Sequence, residues 1–283
     1  MIQPLPRPAP PPVHQSPLRF RGTPIRAIAT DIDGTITDMA RHLDWEAVTA
    51  FRAAEALGVP VLFATGNVIP VSKTFGHCIG TTGPHVCENG GTLYWESPSL
   101  NGGGPIVHRD TLFRRHEGDE VVKELVRRGH TPRYISSDPW RESEVALELK
   151  SVSEEIVTKT LLDMGKTNLY VVSTGFACHI LDKGMNKFLG VKRALEWMNR
   201  HDPRFAPSHP HATPNAAPIG PEHVLAIGDS MNDLELIQGC GVGSVVANGA
   251  PDLQKVADIV AKSPHGAGVR EILETVGLPK TAR

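Results

Sequence analysis

The chain has 283 residues, 40% hydrophobic and 21% charged, with 29 Lys and Arg against 31 Asp and Glu for a formal net charge of −2. That supplies enough apolar side chains for one large or two ordinary domains and excludes general disorder. Balanced charge gives no electrostatic footprint for nucleic acid or an anionic membrane, and no run approaches the ~18 apolar residues of a spanning helix.

Residues 1–24 hold eight of the 24 prolines. Such a segment cannot propagate a helix and has little to bury, so it reads as a disordered tail. It carries Arg7, Arg19 and Arg21 without an acid. It lacks the apolar run of a secretory signal, and its prolines interrupt the amphipathic helix of an organellar leader. From Ile25 to Thr30 an apolar run stops at Asp31, the pattern of a strand that ends in a polar loop. Asp44 caps a helix to about Leu57, with Val48, Phe51 and Ala54 on one face and Gly58 as its stop. Val59 to Ala64 is a second strand ending in Thr65-Gly66-Asn67. Strand, helix, strand in this rhythm predicts an α/β fold built on a parallel sheet.

The texture changes over 92–182. Strand-like pieces (105–108, 169–172, 178–181) alternate with amphipathic helices (117–128, 151–164), as in an inserted α+β domain. The α/β rhythm returns with a helix capped by Asn186, a strand at 224–227 leading into Gly228-Asp229-Ser230, and a helix to Gln238. Strands at 244–247 and 257–260 follow. The core is therefore split into residues 25–91 and 183–283. Residues 201–222, with six prolines and three histidines, form a long loop in which His209 and His211 read as solvated side chains. The cysteines (Cys78, Cys87, Cys178, Cys240) lie far apart without a C-x-x-C pair. They read as reduced thiols of a cytoplasmic protein, not as a disulfide or zinc framework.

Chemistry concentrates at two strand ends. Asp31 and Asp33 leave the first strand together, at the sheet edge where open α/β folds bind ligands. Asp229 and Asp233 follow a second strand, about one helical turn apart if Asp229 opens the helix. Four carboxylates in one place repel one another unless a cation neutralises them, and hard oxygen ligands select Mg²⁺ shared with a phosphate. Thr65 offers a hydroxyl, the backbone N–H groups of Gly66 and Asn67 can face an anion where the glycine permits close approach, and Lys187 offers a positive charge at a helix start. Singly, each of these residues is also ordinary turn, cap or surface chemistry.

Asp31-Ile32-Asp33-Gly34-Thr35-Ile36-Thr37, Thr65, a lysine, and Gly228-Asp229-Ser230-x-Asn232-Asp233 occur in the order of four motifs. In this the chain resembles the haloacid dehalogenase superfamily phosphatases over about 25–277. Residues 65–71, Cys87-Glu88-Asn89-Gly90-Gly91, Trp140-Arg141-Glu142, and His179-Ile180-Leu181 followed by Asn186-Lys187 bring the likeness nearer to archaeal-type phosphoglycolate phosphatases. The resemblance implies a Rossmann-like core with a cap inserted between the second and third motifs. It also implies an Mg²⁺-dependent hydrolysis of a small phosphomonoester, most closely 2-phosphoglycolate. In it Asp31 attacks phosphorus to form an aspartyl-phosphate, and Asp33 serves as acid and then base. Thr65, Gly66 and the lysine hold phosphoryl oxygens. Asp31, Asp33, Asp229 and Asp233 hold the metal, Asp33 through its main-chain carbonyl.

Lys187, just inside the helix, fits the lysine position better than Lys183. Asn232 contacts substrate or only orients its loop. A substrate carboxylate needs a partner, and the guanidinium of Arg141 matches it bidentately, against the competing reading of a pair with Glu142 or Glu144. Sugar-phosphate phosphatases (sucrose-phosphate or mannosyl-3-phosphoglycerate type) and phosphomutases of the same superfamily share these motifs. A non-catalytic phosphate-binding protein is the alternative outside enzymes.

Overall fold

The computed structural model describes residues 16–97, 105–173 and 177–280. Its first feature is a hairpin of β1 (Arg19–Phe20) and β2 (Thr23–Pro24), turned by Arg21 and Gly22 with φ of 46° and 89°, the left-handed pair that suits a two-residue hairpin. Leu18 is fully buried in the same core cluster as Ile25, and the Arg19 N–H donates to the Val276 carbonyl at 2.7 Å. The expected tail over 1–24 therefore does not extend across Ser16–Pro24. One well-placed leucine and a hairpin turn outweigh the proline count there. Residues 1–15 lie outside the described residues.

The core then runs β3 (Ala27–Thr30), α1 (Trp45–Ala56), β4 (Val61–Ala64), α2 (Ile69–Ile79), β5 (His85–Cys87), β6 (Thr92–Ser97) and β7 (Ile106–Thr111). β3 and β4 are buried at every position, as strands covered on both faces must be. Asp44 caps α1 by accepting the Glu46 N–H at 2.8 Å, and Ala47, Val48, Ala50, Phe51 and Ala54 face the core. A smaller unit follows: α3 (His116–Arg127), β8 (Val145–Glu148), α4 (Glu154–Asp163), β9 (Leu169–Ser173) and β10 (Ala177–Asp182). Its strands form an antiparallel sheet in the order β8-β10-β9, whose apolar side packs with α3 and α4. The chain returns through α5 (Lys187–His201), β11 (Val224–Gly228), α6 (Leu234–Gly239), β12 (Val242–Val245), α7 (Pro251–Gln254), β13 (Ile259–Val260) and α8 (His265–Thr275).

The large sheet has the order β13-β12-β11-β3-β4-β5-β6-β7, parallel from β13 to β5 and antiparallel beyond. This is the α/β Rossmann-like architecture expected. β6 and β7, expected within the insertion over 92–182, instead extend the core sheet, where Leu93 and Trp95 bury against Val191 and Met198 of α5. Alternation in a strand shows that it can pair, not with which sheet. The separate sheet begins only after Thr111. The 201–222 loop is irregular, yet Phe205, Ala206 and Ile219 are buried, and Arg26 donates to the Pro218 and Ala217 carbonyls at 2.7 and 2.5 Å. Arg26 precedes β3, so this loop covers the amino end of the sheet, opposite Asp31. The helix expected from Asp229 starts at Leu234, because Ser230 and Asp233 close a tight turn over 231–233 through reciprocal side-chain-to-backbone bonds. No helix among the described residues is long and apolar enough to cross a membrane.

Candidate active site

β3 and β11 are adjacent and parallel, so the loops after Thr30 and Gly228 leave the same sheet edge side by side. That juxtaposition brings together residues about 200 positions apart. Carboxylate oxygens of Asp31, Asp229 and Asp233 lie within 4.8 Å of one another. The Lys187 ammonium, first residue of α5 and fully buried, sits 3.0 Å from Asp31 Oδ2 and 2.7 Å from Asp233 Oδ1. Asp233 Oδ2 accepts the backbone N–H groups of Asp229 and Ser230, each at 3.1 Å. The Thr35 hydroxyl donates to Asp229 Oδ1 at 2.9 Å. Gly34 has φ +79° and lies against the Asp229 carboxylate, which a Cβ there would strike.

Three carboxylates against one ammonium leave the pocket with surplus negative charge in a dry place. Burial, followed by the neighbouring Asp233, pushes the Asp229 carboxyl up to about 6. Burial likewise raises Asp31, opposed by Lys187. Lys187 is held above its ordinary value: burial pulls it down, and Asp233 and Asp31 more than offset that. A hard divalent cation fits this donor set, all oxygen and short of positive charge.

Asp33 stands apart from that trio. Its side chain is exposed and accepts the Asn67 amide at 2.6 Å. Thr65, at the end of β4 beside β3, is fully buried, and its Oγ1 accepts the Asn67 N–H at 3.1 Å and the Asn67 side-chain amide at 3.2 Å, which leaves its own hydrogen to donate. Lys183, the competing lysine, is exposed in the turn before α5.

With the geometry in view, known proteins sharpen it. Residues 28–100 and 214–273 match the family described as haloacid dehalogenase-like hydrolase. The chain is 36% identical over 247 residues to the phosphoglycolate phosphatase of Methanothermobacter thermautotrophicus, covering 87% of this chain and 96% of that protein. The chain belongs to the haloacid dehalogenase-like hydrolases. The phosphoglycolate phosphatase of Archaeoglobus fulgidus is 32% identical over 253 residues, covering 89% and 97%. As a haloacid dehalogenase-like hydrolase the protein is an enzyme, and these relatives at 32–36% identity are phosphomonoester hydrolases by name. Its fold is shared by a crystal structure from Thermoplasma acidophilum, with TM-score 0.72, 24% identity, and coverage of 90% of this chain and 100% of that one. A sugar phosphatase of haloacid dehalogenase subclass IIB has TM-score 0.65 at 14% identity, covering 90% and 100%.

At Arg141 the competing pair with Glu144 forms. Its side chain is 3% exposed, paired with the buried Glu144, and Nη1 also donates to the Gly66 carbonyl at 3.1 Å. The Glu144 pair forms because both groups are withdrawn from water at the seam between insertion and core. Gly66 thus serves the site through a carbonyl tied to Arg141 as well as through its lack of a side chain.

Sequence reasoning left several neighbours unassigned. The side chain of Asn67, offered by the sequence only for its backbone N–H, touches both Asp33 and Thr65. Asn248 Nδ2 donates to the Gly34 carbonyl at 2.9 Å, and His265 Nδ1 lies 2.8 Å from the same oxygen. Nothing local in the sequence marks either one. Asn232 bonds Asn89 at 3.1 Å and Ser230 at 2.5 Å, the contacts of a loop-orienting residue.

Proposed function

We propose that this protein is an Mg²⁺-dependent phosphatase that hydrolyses a small phosphomonoester, most specifically 2-phosphoglycolate, through an aspartyl-phosphate. The observation that carries the reading is the buried Asp31 carboxylate beside Lys187, with Asp229 and Asp233 crowding the same pocket. Asp31, Asp229 and Asp233, with the Asp33 main-chain carbonyl, would hold the ion. When bound, Mg²⁺ supplies positive charge that offsets the repulsion between a carboxylate nucleophile and a phosphate dianion.

An Asp31 oxygen forms a bond to phosphorus as the ester P–O bond breaks, and Asp33 gives its proton to the departing alkoxide. Water then attacks the aspartyl-phosphate, Asp33 takes back a proton, and inorganic phosphate leaves with Asp31 restored. Lys187, the Thr65 hydroxyl and the backbone at Gly66 hold the phosphoryl oxygens where charge develops. Asn67 holds Asp33 over this site through the 2.6 Å amide bond. The free state of all four cysteines accords with a reducing, cytoplasmic setting.

The names of the archaeal relatives favour 2-phosphoglycolate, while the sugar phosphatase among the structural neighbours keeps sugar phosphates in view. Phosphate release from 2-phosphoglycolate, a set of sugar phosphates and p-nitrophenyl phosphate, with Mg²⁺ or EDTA, tests the proposal. Turnover that needs Mg²⁺ and peaks on 2-phosphoglycolate is expected. A peak on a sugar phosphate would remove that substrate, and turnover undiminished by EDTA would remove the metal.

A further inference from the structure

A second buried charge cluster lies at the seam between the insertion and the core, outside the reacting groups. Its centre is the Glu144 carboxylate, fully buried just before β8. One oxygen pairs with Arg141 and lies 3.1 Å from His179 Nδ1; the other accepts the Asn89 amide at 3.0 Å. Asn89 in turn accepts the Asn232 amide at 3.1 Å, and its own N–H donates to the Thr65 carbonyl at 3.0 Å. Glu88 donates its N–H to the Asn67 carbonyl at 2.9 Å. Its carboxylate accepts the N–H groups of Glu142 and Ser143 and the Ser143 hydroxyl. Glu88 and Asn89 both hold left-handed backbone, with φ of 49° and 54°. Such strain at two adjacent non-glycine residues persists only where surroundings over-determine it.

The consequence falls on one peptide plane. The Gly66 carbonyl accepts from Arg141, and the Asn67 N–H of the same peptide donates to Thr65 Oγ1. Pinned at both ends, that plane fixes where the Thr65 hydroxyl can donate and where the Asn67 amide meets Asp33. Room for a Cβ at Gly66 is short, since Asn89 Oδ1 would be 3.2 Å away. We propose that Asn89 and Glu144 are positioning residues: Asn89 joins the Thr65–Asn67 loop to the 229–233 loop, and the docked insertion holds Asn89 in place through Glu144. This rests on reading the site as one for phosphoryl transfer. Phosphate capture then depends on a carboxylate that never touches phosphate.

The test uses Asn89→Ala, Glu144→Gln and Asn232→Ala in the full chain. Glu55→Gln is the control, a buried carboxylate that serves the Val61 and Thr82 backbone far from the site. We expect the first three to lower kcat/KM for p-nitrophenyl phosphate by about 10- to 100-fold, the scale of misplaced reacting groups. They should also weaken orthovanadate inhibition and speed hydrogen exchange at the Asn67 and Ser230 amides. Glu55→Gln should lower Tm and leave all three readouts unchanged. If the seam variants lower Tm only, as the control does, the network is structural and the inference fails. Asn232→Ala, at a half-buried position, decides the matter if Glu144→Gln does not fold. A wild-type protein without turnover on any phosphomonoester would overturn the proposed function instead, and the exchange pattern would still decide for or against the network.

Discussion

Two clusters of buried charge meet in this molecule, and they are finished differently. At the seam, Glu88 is saturated by three backbone and side-chain donors from Glu142 and Ser143, and Glu144 by Arg141 and Asn89. At the sheet edge, Asp31, Asp229 and Asp233 share a single ammonium. Burying charge is costly in both places. The seam meets it mainly with hydrogen-bond donors, whereas the sheet edge crowds three carboxylates around one ammonium, a surplus that a divalent cation would offset.

The sharpest way to break this comparison is Asp31→Asn. It should lower phosphate release by about 10³-fold or more, the scale for removing a nucleophile, while Tm stays level or rises because one of three crowded carboxylates is gone. A fall in Tm would mean that the carboxylate is structural. Lys187→Met should cost about 3–5 kcal/mol in urea unfolding by stranding Asp31 and Asp233, and a small loss would mean that water already reaches them. Adding Mg²⁺ should raise Tm, by an amount equivalent to about 2.7 kcal/mol at a hundred times Kd. Asp229→Asn should lose that response and Glu144→Gln should keep it; equal losses would erase the distinction between the two clusters.

A pH-dependent effect concerns His179 at the seam. Burial, then Arg141, holds its imidazole down to about 3. In the unfolded chain it takes a proton near 6.5, so the folded state binds fewer protons between these values. The stabilisation is complete above about 6.5 and is lost as pH falls toward 3. His179→Gln should therefore flatten the acid limb of urea midpoints measured from pH 7.5 to 4 by about one proton. An unchanged slope would mean that His179 is solvated.

Much of the carboxylate cluster was legible because its chemistry is local: carboxylates at strand ends, a lysine at a helix start, and Thr65 after a second strand. The order of these motifs also foretold the core fold. Of the seam, only the Arg141–Glu144 pair was legible, three residues apart in the chain; that Asn89 joins it is tertiary packing that no spacing encodes. β6 and β7 were assigned to the insertion because alternation says nothing of the partner strand. Leu18 was hidden among prolines, since composition averages over the one side chain that packs.

The pairing of β3 with β11 has a consequence for how the enzyme comes into being. Ala27 lies opposite Val224, and every residue between them must be made before this ladder can close. At about 5–20 residues per second of synthesis, Asp31 waits on the order of ten seconds or more for Lys187, Asp229 and Asp233. The smaller antiparallel sheet, whose contacts are nearer in sequence, is in a position to fold within that interval. Activity therefore arrives late, when a chain segment made near the end slots beside one made near the beginning.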